Sequence, residues 1–337
     1  MRLFEIAAVA AGAVALAGAT PPAAPRSSIV QRIAGPDGGW DLLSLDAAHR
    51  RLLVARSDGV MAVDVDTGRV TPHLVAGARF HSVFAIPRSK LAIATSGQAN
   101  KAILFDAVTG MVTAEIPTGT NPDAAIYEPS SRTVWVMNAK DGSATIIDPF
   151  QAKVIATVPI GGALEMLALD GHGHLFVNVE DKNEIAEVII ASRTVLRHIP
   201  LPGCAGPTGL TYVSSGILIS ACANGIAKLV RAADGQVVGE FPIGPRADGA
   251  FYDARRHRAY IPSGGDGTLT VIDTKGRLPR PIAKLATQAG SRTGAVDPTS
   301  GKVYLPGARY TLPPAAGGRP GLVPGSFEIL VVSAGAG

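Results

Sequence analysis

Seven polar residues recur at an almost constant interval along this chain: Asp41, His81, Asp123, Glu165, Thr208, Asp248 and Thr293. Successive spacings are 40, 42, 42, 43, 40 and 45 residues, and each residue stands just before an apolar run. If one structural unit repeats with that period, the seven side chains converge on a single axis. Four of them are carboxylates, and carboxylates crowded together need a cation, arginines or protons to offset their repulsion. An oxygen-rich set such as Asp41, Asp123, Glu165 and Asp248 suits Ca²⁺ or Mg²⁺ better than Zn²⁺. His81, with an imidazole that titrates near neutrality, is the candidate base if the site performs chemistry. Arg79 and Arg246 lie two residues before ring members, Arg292 one before, and Arg309 falls in a later loop with Tyr310. Those arginines can clamp a carboxylate or phosphate ligand, or pair with the acids themselves.

The elements that must carry these residues are strands. Runs such as LLVA (52–55), LAIA (91–94), VWVMN (134–138) and AYIP (259–262) alternate with turns rich in Asp, Thr, Gly and Pro. Short Val- and Ile-rich runs cut by Thr-Gly, Asp-Gly and Pro-Gly read as antiparallel hairpins. Seven units of about 42 residues, four strands each, predict a seven-bladed β-propeller. The last unit reaches only its third strand at FEILVVS (327–333), while Ile29–Ile33 precedes the first unit unassigned. The N-terminal segment is therefore expected to supply the missing strand and remove a sheet edge.

Once these runs are aligned, the chain resembles the YVTN-repeat, or YncE-like, exported propellers. The likeness rests on VWVMNAKDGSATIID (134–148) with its VPIGG return, and on AYIPSGGDGTLTVID (259–273). HLFVNVEDKNEI (174–185), PTGL (207–210) and PGSFEILVV (324–332) extend it to residues 35–333. LLVARSDGV (52–60) and AKLVRAADG (227–235) depart most from the pattern. The resemblance implies the fold and transfers no catalytic residue.

The ends suggest export. An apolar, alanine-rich run follows Arg2 and reaches Ala17, too short to span a bilayer, and Ala17-Gly18-Ala19 has the small residues of a cleavage site. Residues 1–19 are read as a signal peptide, 20–27 as a linker, 28–333 as one propeller and 334–337 as a tail. A periplasmic or secreted protein with no membrane insertion after cleavage is expected, and a monomer. Cys204 and Cys222 are the two cysteines; in an oxidising compartment they are expected to pair. Such a bridge contributes about 3 kcal/mol in the chain-entropy model.

Composition narrows the function classes. Charged residues make up 17% of the 337 and the net charge is +4, without a polybasic tract, so nucleic acid is neither demanded nor excluded. The Asp170-Gly171-His172-Gly173-His174 run reads as a turn on the face opposite the ring. Gly264-Gly265-Asp266-Gly267 reads as a hairpin, since no helix follows it. Gly-x-Ser-x-Gly, His-Glu-x-x-His and Cys-x-x-Cys-His are all missing from the sequence. The Pro- and Gly-rich stretch from Gly307 to Ser326 is expected to be a loop over the channel mouth. The leading expectation is a non-catalytic propeller that binds a small polar ligand or a periplasmic protein at that mouth. A metal-dependent hydrolase or lyase of lactonase type is the alternative, and nucleic-acid binding the third.

Overall fold

The computed structural model of the chain describes residues 29–311 and 321–333. The expected signal peptide, linker and tail, and residues 312–320 of the expected lid, lie outside them. Seven four-stranded antiparallel sheets surround an axis. The innermost strands of the blades are Trp40–Asp46, Phe80–Ala85, Pro122–Glu128, Leu164–Leu169, Pro207–Val213, Phe251–Asp253 and Ala295–Val296. Apart from strands, the described residues hold one helical turn, a 3-10 turn at Glu180–Lys182. The seven-bladed propeller expected from the 42-residue period is the fold observed.

Local chemistry explains why the repeat folds this way. Second and third strands are apolar on both faces, as in Leu52, Leu53, Val54 and Ala55, because neighbouring blades cover each side. Outer strands alternate instead, as in Lys153–Pro159, since one face meets solvent. The turns between third and fourth strands repeat one device. Asp64 and Asp106 each accept two backbone N–H groups within three residues, and Gly68 and Gly110 adopt φ near 76° to complete the turn. Only a residue tolerant of positive φ closes that turn without strain.

The seventh sheet runs in the order Ile29–Ala34, Glu328–Ser333, Lys302–Gly307, Ala295–Val296. The N-terminal strand thus completes the last blade, antiparallel to Glu328–Ser333, with Ile33 opposite Ile329. A cluster of side chains fixes this closure. Phe327 packs against Trp40 at 5.2 Å between ring centroids, and the Arg56 guanidinium lies 3.8 Å from the Phe327 centroid. Arg56 is 2% exposed, and one of its nitrogens donates to the Pro36 carbonyl at 2.6 Å. Burial lowers the Arg56 pKa, opposed by the charges of Asp58 and Asp37. Asp37 accepts the Gly325 N–H at 2.5 Å and the Phe327 N–H at 3.4 Å. Gly35 is required here, because a Cβ at that position would lie 2.9 Å from the Phe327 ring.

Cys204 and Cys222 form the expected disulfide, with Cα atoms 5.5 Å apart. It joins the segment entering blade 5 to the end of that blade's second strand. No helix of the described residues is long and apolar enough to cross a membrane.

Truncating the closing aromatic tests the clamp. Phe327→Ala is expected to destabilise the fold by about 3–5 kcal/mol, read as a lower urea midpoint at unchanged m-value. A loss below about 1 kcal/mol would show that the strand pairing alone holds the ring shut.

Candidate functional site

One backbone hydrogen bond recurs in six blades and places the candidate residues. The carbonyl two positions before each ring residue accepts the N–H of the residue that follows the same blade's second strand. The donor and acceptor pairs are Ser57 to Gly39, Gly97 to Arg79, Ala139 to Asn121, Glu180 to Ala163, Ala223 to Gly206 and Gly264 to Arg246, at 2.8–3.1 Å. Arg79, Asn121 and Arg246 take positive φ at this point, of 50°, 55° and 57°, which turns the chain sharply into the inner strand. Register shifts follow between Trp40 and Leu43, Phe80 and Val83, Pro122 and Ala125, and Leu164 and Leu167. A bulge re-aims side chains, and it falls where Asp41, His81, Asp123 and Glu165 stand.

Five of the seven ring residues contribute an ionisable group to one mouth. His81 Nδ1 is 2.7 Å from Asp41 Oδ2 and 3.8 Å from Asp123 Oδ2. Donor atoms of Asp41, His81 and Asp123 all lie within 4.8 Å of one another. Asp248 and Glu165 stand outside that tight group, and Asp248 accepts from Arg292 Nε at 2.6 Å. The remaining two, Thr208 and Thr293, are buried between blades. Thr208 donates to the Ala247 carbonyl at 2.8 Å and Thr293 to the Asp41 carbonyl at 2.9 Å. Thr95 does the same for Asp123, so these hydroxyls hold adjacent blades together.

The arginines divide in the same way. Arg292 joins the site, whereas Arg79, Arg246 and Arg309 are exposed and make no ion pair among the described residues. Tyr310 is 40% exposed and bridges to Leu322, where it packs over Gly290 at the base of the loop. The loop's outer part, 312–320, lies outside the described residues. His174, from the turn on the opposite face, is bound to Glu187 at 2.6 Å.

One acid escaped the sequence reading. Glu180 raises the pKa of both Glu165 and Asp248 through its charge, so it belongs to the same field. It follows the second strand of blade 4, in the 3-10 turn Glu180–Lys182. Such loops emerge on the ring face, and that placement was the signal available for finding it.

Electrostatics at the mouth are those of an acid excess. Burial, with the charges of Asp123, Asp248, Glu180 and Asp41, pushes the Glu165 carboxyl up to about 10. Burial and the Asp41 charge take Asp123 to about 7 against the pull of His81. Burial raises Asp248 as well, although Arg292 opposes it. For His81 burial acts downward, but the Asp41 hydrogen bond and the Asp123 charge outweigh it and the imidazolium is favoured. Water does reach Asp41, Asp123 and Asp248, whose side chains are 23%, 19% and 27% exposed. Protein surrounding the Asp123 and Asp248 carboxyls keeps that water from solvating their charges fully.

Immediately below the acids the channel turns apolar. A cavity of about 390 Å³ is lined by Leu42, Phe84, Ile126, Met166 and Phe251 among others. It extends to Pro87 and Pro129, which lie in the turns after the inner strands, towards the opposite face.

No protein-family model matches the chain, and no curated protein does. Solved structures match it in fold. A chain of a mitotic checkpoint complex superposes with a TM-score of 0.73 at 13% identity, covering 89% of this chain and 95% of that one. Kuenenia stuttgartiensis hydrazine synthase gives 0.71 at 15%, covering 80% and 93%. The structure titled U3-55K gives 0.74 at 11%, covering 91% and 99%. Identities this low carry the fold and no function.

The acid excess predicts a pH-dependent stability. The folded chain holds the Glu165 proton up to about pH 10, while an ordinary glutamate releases it near 4.5. Between those values the folded state binds more protons than the unfolded one, so stability falls as pH rises. Glu165→Gln is expected to raise Tm at pH 8 by at least about 2 °C, with no gain at pH 4. A constant offset at both pH values in calorimetry would remove the assignment.

Proposed function

We propose that this chain is an exported propeller of the YVTN-repeat kind that binds a small polar ligand or a partner protein at its channel mouth. The observation that carries this reading is the shared backbone bond, which delivers ionisable side chains from blades 1, 2, 3, 4 and 6 to one mouth. Groups held by rigid strands on several blades are pre-organised, which reduces the ordering penalty of binding. Export is supported by the Cys204–Cys222 disulfide, because such bonds persist in oxidising compartments. Nucleic acid is disfavoured, since an acid excess at the mouth repels a phosphate backbone.

The test is a thermal-shift panel of amines, amino acids, carboxylates and sugar phosphates, with periplasmic proteins as a second arm. At least one member is expected to raise the wild-type Tm by about 3 °C or more, and the Asp123→Asn/Arg292→Leu variant to lose that response. If every response survives in the variant, binding lies elsewhere and the mouth reading falls.

A second reading has its own observation. The donor atoms of Asp41, His81 and Asp123 are close enough to hold one metal ion. The imidazole nitrogen makes that set better suited to Zn²⁺ or Mn²⁺ than the four-carboxylate set expected for Ca²⁺ or Mg²⁺. A metal held there, with open positions for water, would permit hydrolysis of a lactone with His81 as ligand rather than base. Elemental analysis of protein purified without chelator is expected, on this reading, to find about one equivalent of metal that His81→Ala loses. A metal content near zero after loading with each ion would end it.

A further inference from the structure

We propose that the axial channel binds an amphipathic organic cation, with an ammonium head at Asp41, Asp123 and Glu165 and an apolar tail along the cavity beneath. This rests on the reading of the mouth as a binding site and names the chemical class that the site would take.

The cavity is the first support, independent of the acids. Residues one position after five of the ring members, Leu42, Ser82, Met166, Gly249 and Gly294, line it. Leu42, Phe84, Ile126, Met166 and Phe251 are only half-buried: they pack on the edges of the blade cores and leave their outer surfaces as an apolar wall of the channel, from five blades. Water in a channel is better held by polar walls, and an apolar lining of ligand size instead stabilises an apolar guest. Phe251 is further fixed by stacking on the buried Tyr260 at 5.5 Å. The volume, about 390 Å³, lies in the range of small-molecule sites.

Charge selects the head group. Asp41, Asp123, Glu165, Glu180 and Asp248 share the mouth with His81 and Arg292, while Arg79 acts on it from nearby. Crowding keeps Glu165 protonated and Asp123 partly so at neutral pH, and a cationic head is favoured because it lets both ionise, whereas a carboxylate or phosphate would add to the same repulsion. Glu165 makes no hydrogen bond among the described residues, so it has acceptor capacity for a donor head. A bare metal ion would engage the acids alone and derive nothing from the apolar wall. A molecule with a cationic end and a hydrocarbon end uses both.

Isothermal titration with n-hexylammonium, n-butylammonium, hexanoate and 1-hexanol on the full-length mature protein tests the proposal. Hexylammonium is expected to bind about 15-fold more tightly than butylammonium, from two further buried methylenes. Hexanoate is expected not to bind. Asp123→Asn/Glu165→Gln should weaken hexylammonium at least 10-fold, and Leu42→Ala/Met166→Ala should shrink the chain-length ratio towards 1. Each variant's melting curve establishes that it is folded, and Glu165→Gln alone serves if the double variant is not. Tighter binding of hexanoate, lost in Arg292→Leu, would overturn the cation class while leaving the mouth a binding site. Equal affinity for butyl- and hexylammonium would overturn the tail assignment and with it the proposal. No binding by any of the four probes would overturn the proposal, and the thermal-shift panel then decides separately whether the mouth binds anything.

Discussion

Pairing of Ile29–Ala34 with Glu328–Ser333 is the constraint on which the other features depend. A propeller is a ring of sheets, each covered on both faces by its neighbours, so an open ring would expose two apolar faces at once. Closure covers both and fixes the distance of every blade from the axis. The Arg56–Phe327–Trp40 cluster and the Asp37 carboxylate seal the same seam from the inner side. Asp41, in blade 1, is held in turn by the Thr293 hydroxyl of blade 7 across that seam. The geometry of the mouth is thus set partly by residues 252 positions apart in the chain.

The mouth is built at an electrostatic disadvantage. Burial raises the pKa values of Glu165, Asp123 and Asp248, the Asp41 charge adds to all three, and His81 and Arg292 offset only part of it. A core selected for stability alone would replace such acids with amides or apolar groups at little loss. Strained electrostatics of this kind gather at functional sites because the strain is relieved when the correct partner arrives. The apolar wall directly beneath has the same character. Phe84, Ile126 and Met166 face a channel although the blade interiors are otherwise filled.

The fold was legible because a 42-residue period repeats both the strands and the turns between them. Ring closure was legible too, since the last unit lacked a strand and the first was preceded by one. The candidate site was legible in part. Spacing alone located Asp41, His81, Asp123, Glu165 and Asp248, because each follows the same backbone bond. Spacing could not distinguish a side chain facing the axis from one facing the next blade, and Thr208 and Thr293 turn out to bond the neighbouring backbone. A hydroxyl and a carboxylate at equivalent positions differ in reach and in the burial they tolerate. Glu180 was hidden by its place in a loop of irregular geometry, and the apolar belt by its resemblance to ordinary strand sequence.

The seam has a further consequence for how the chain acquires its structure. Ile29 pairs with Val332, so the first strand of the fold finds its partner only when the last has been made. Six blades can assemble from local hairpins in order, but the seventh must wait for both ends. During synthesis, or during passage through a membrane from the N-terminus, Ile29–Ala34 would stand as an unpaired edge while some 300 residues follow. That strand carries Gln31 and Arg32 among its exposed residues. Polar side chains on a waiting edge discourage pairing with the wrong chain, so this strand is suited to wait for its partner.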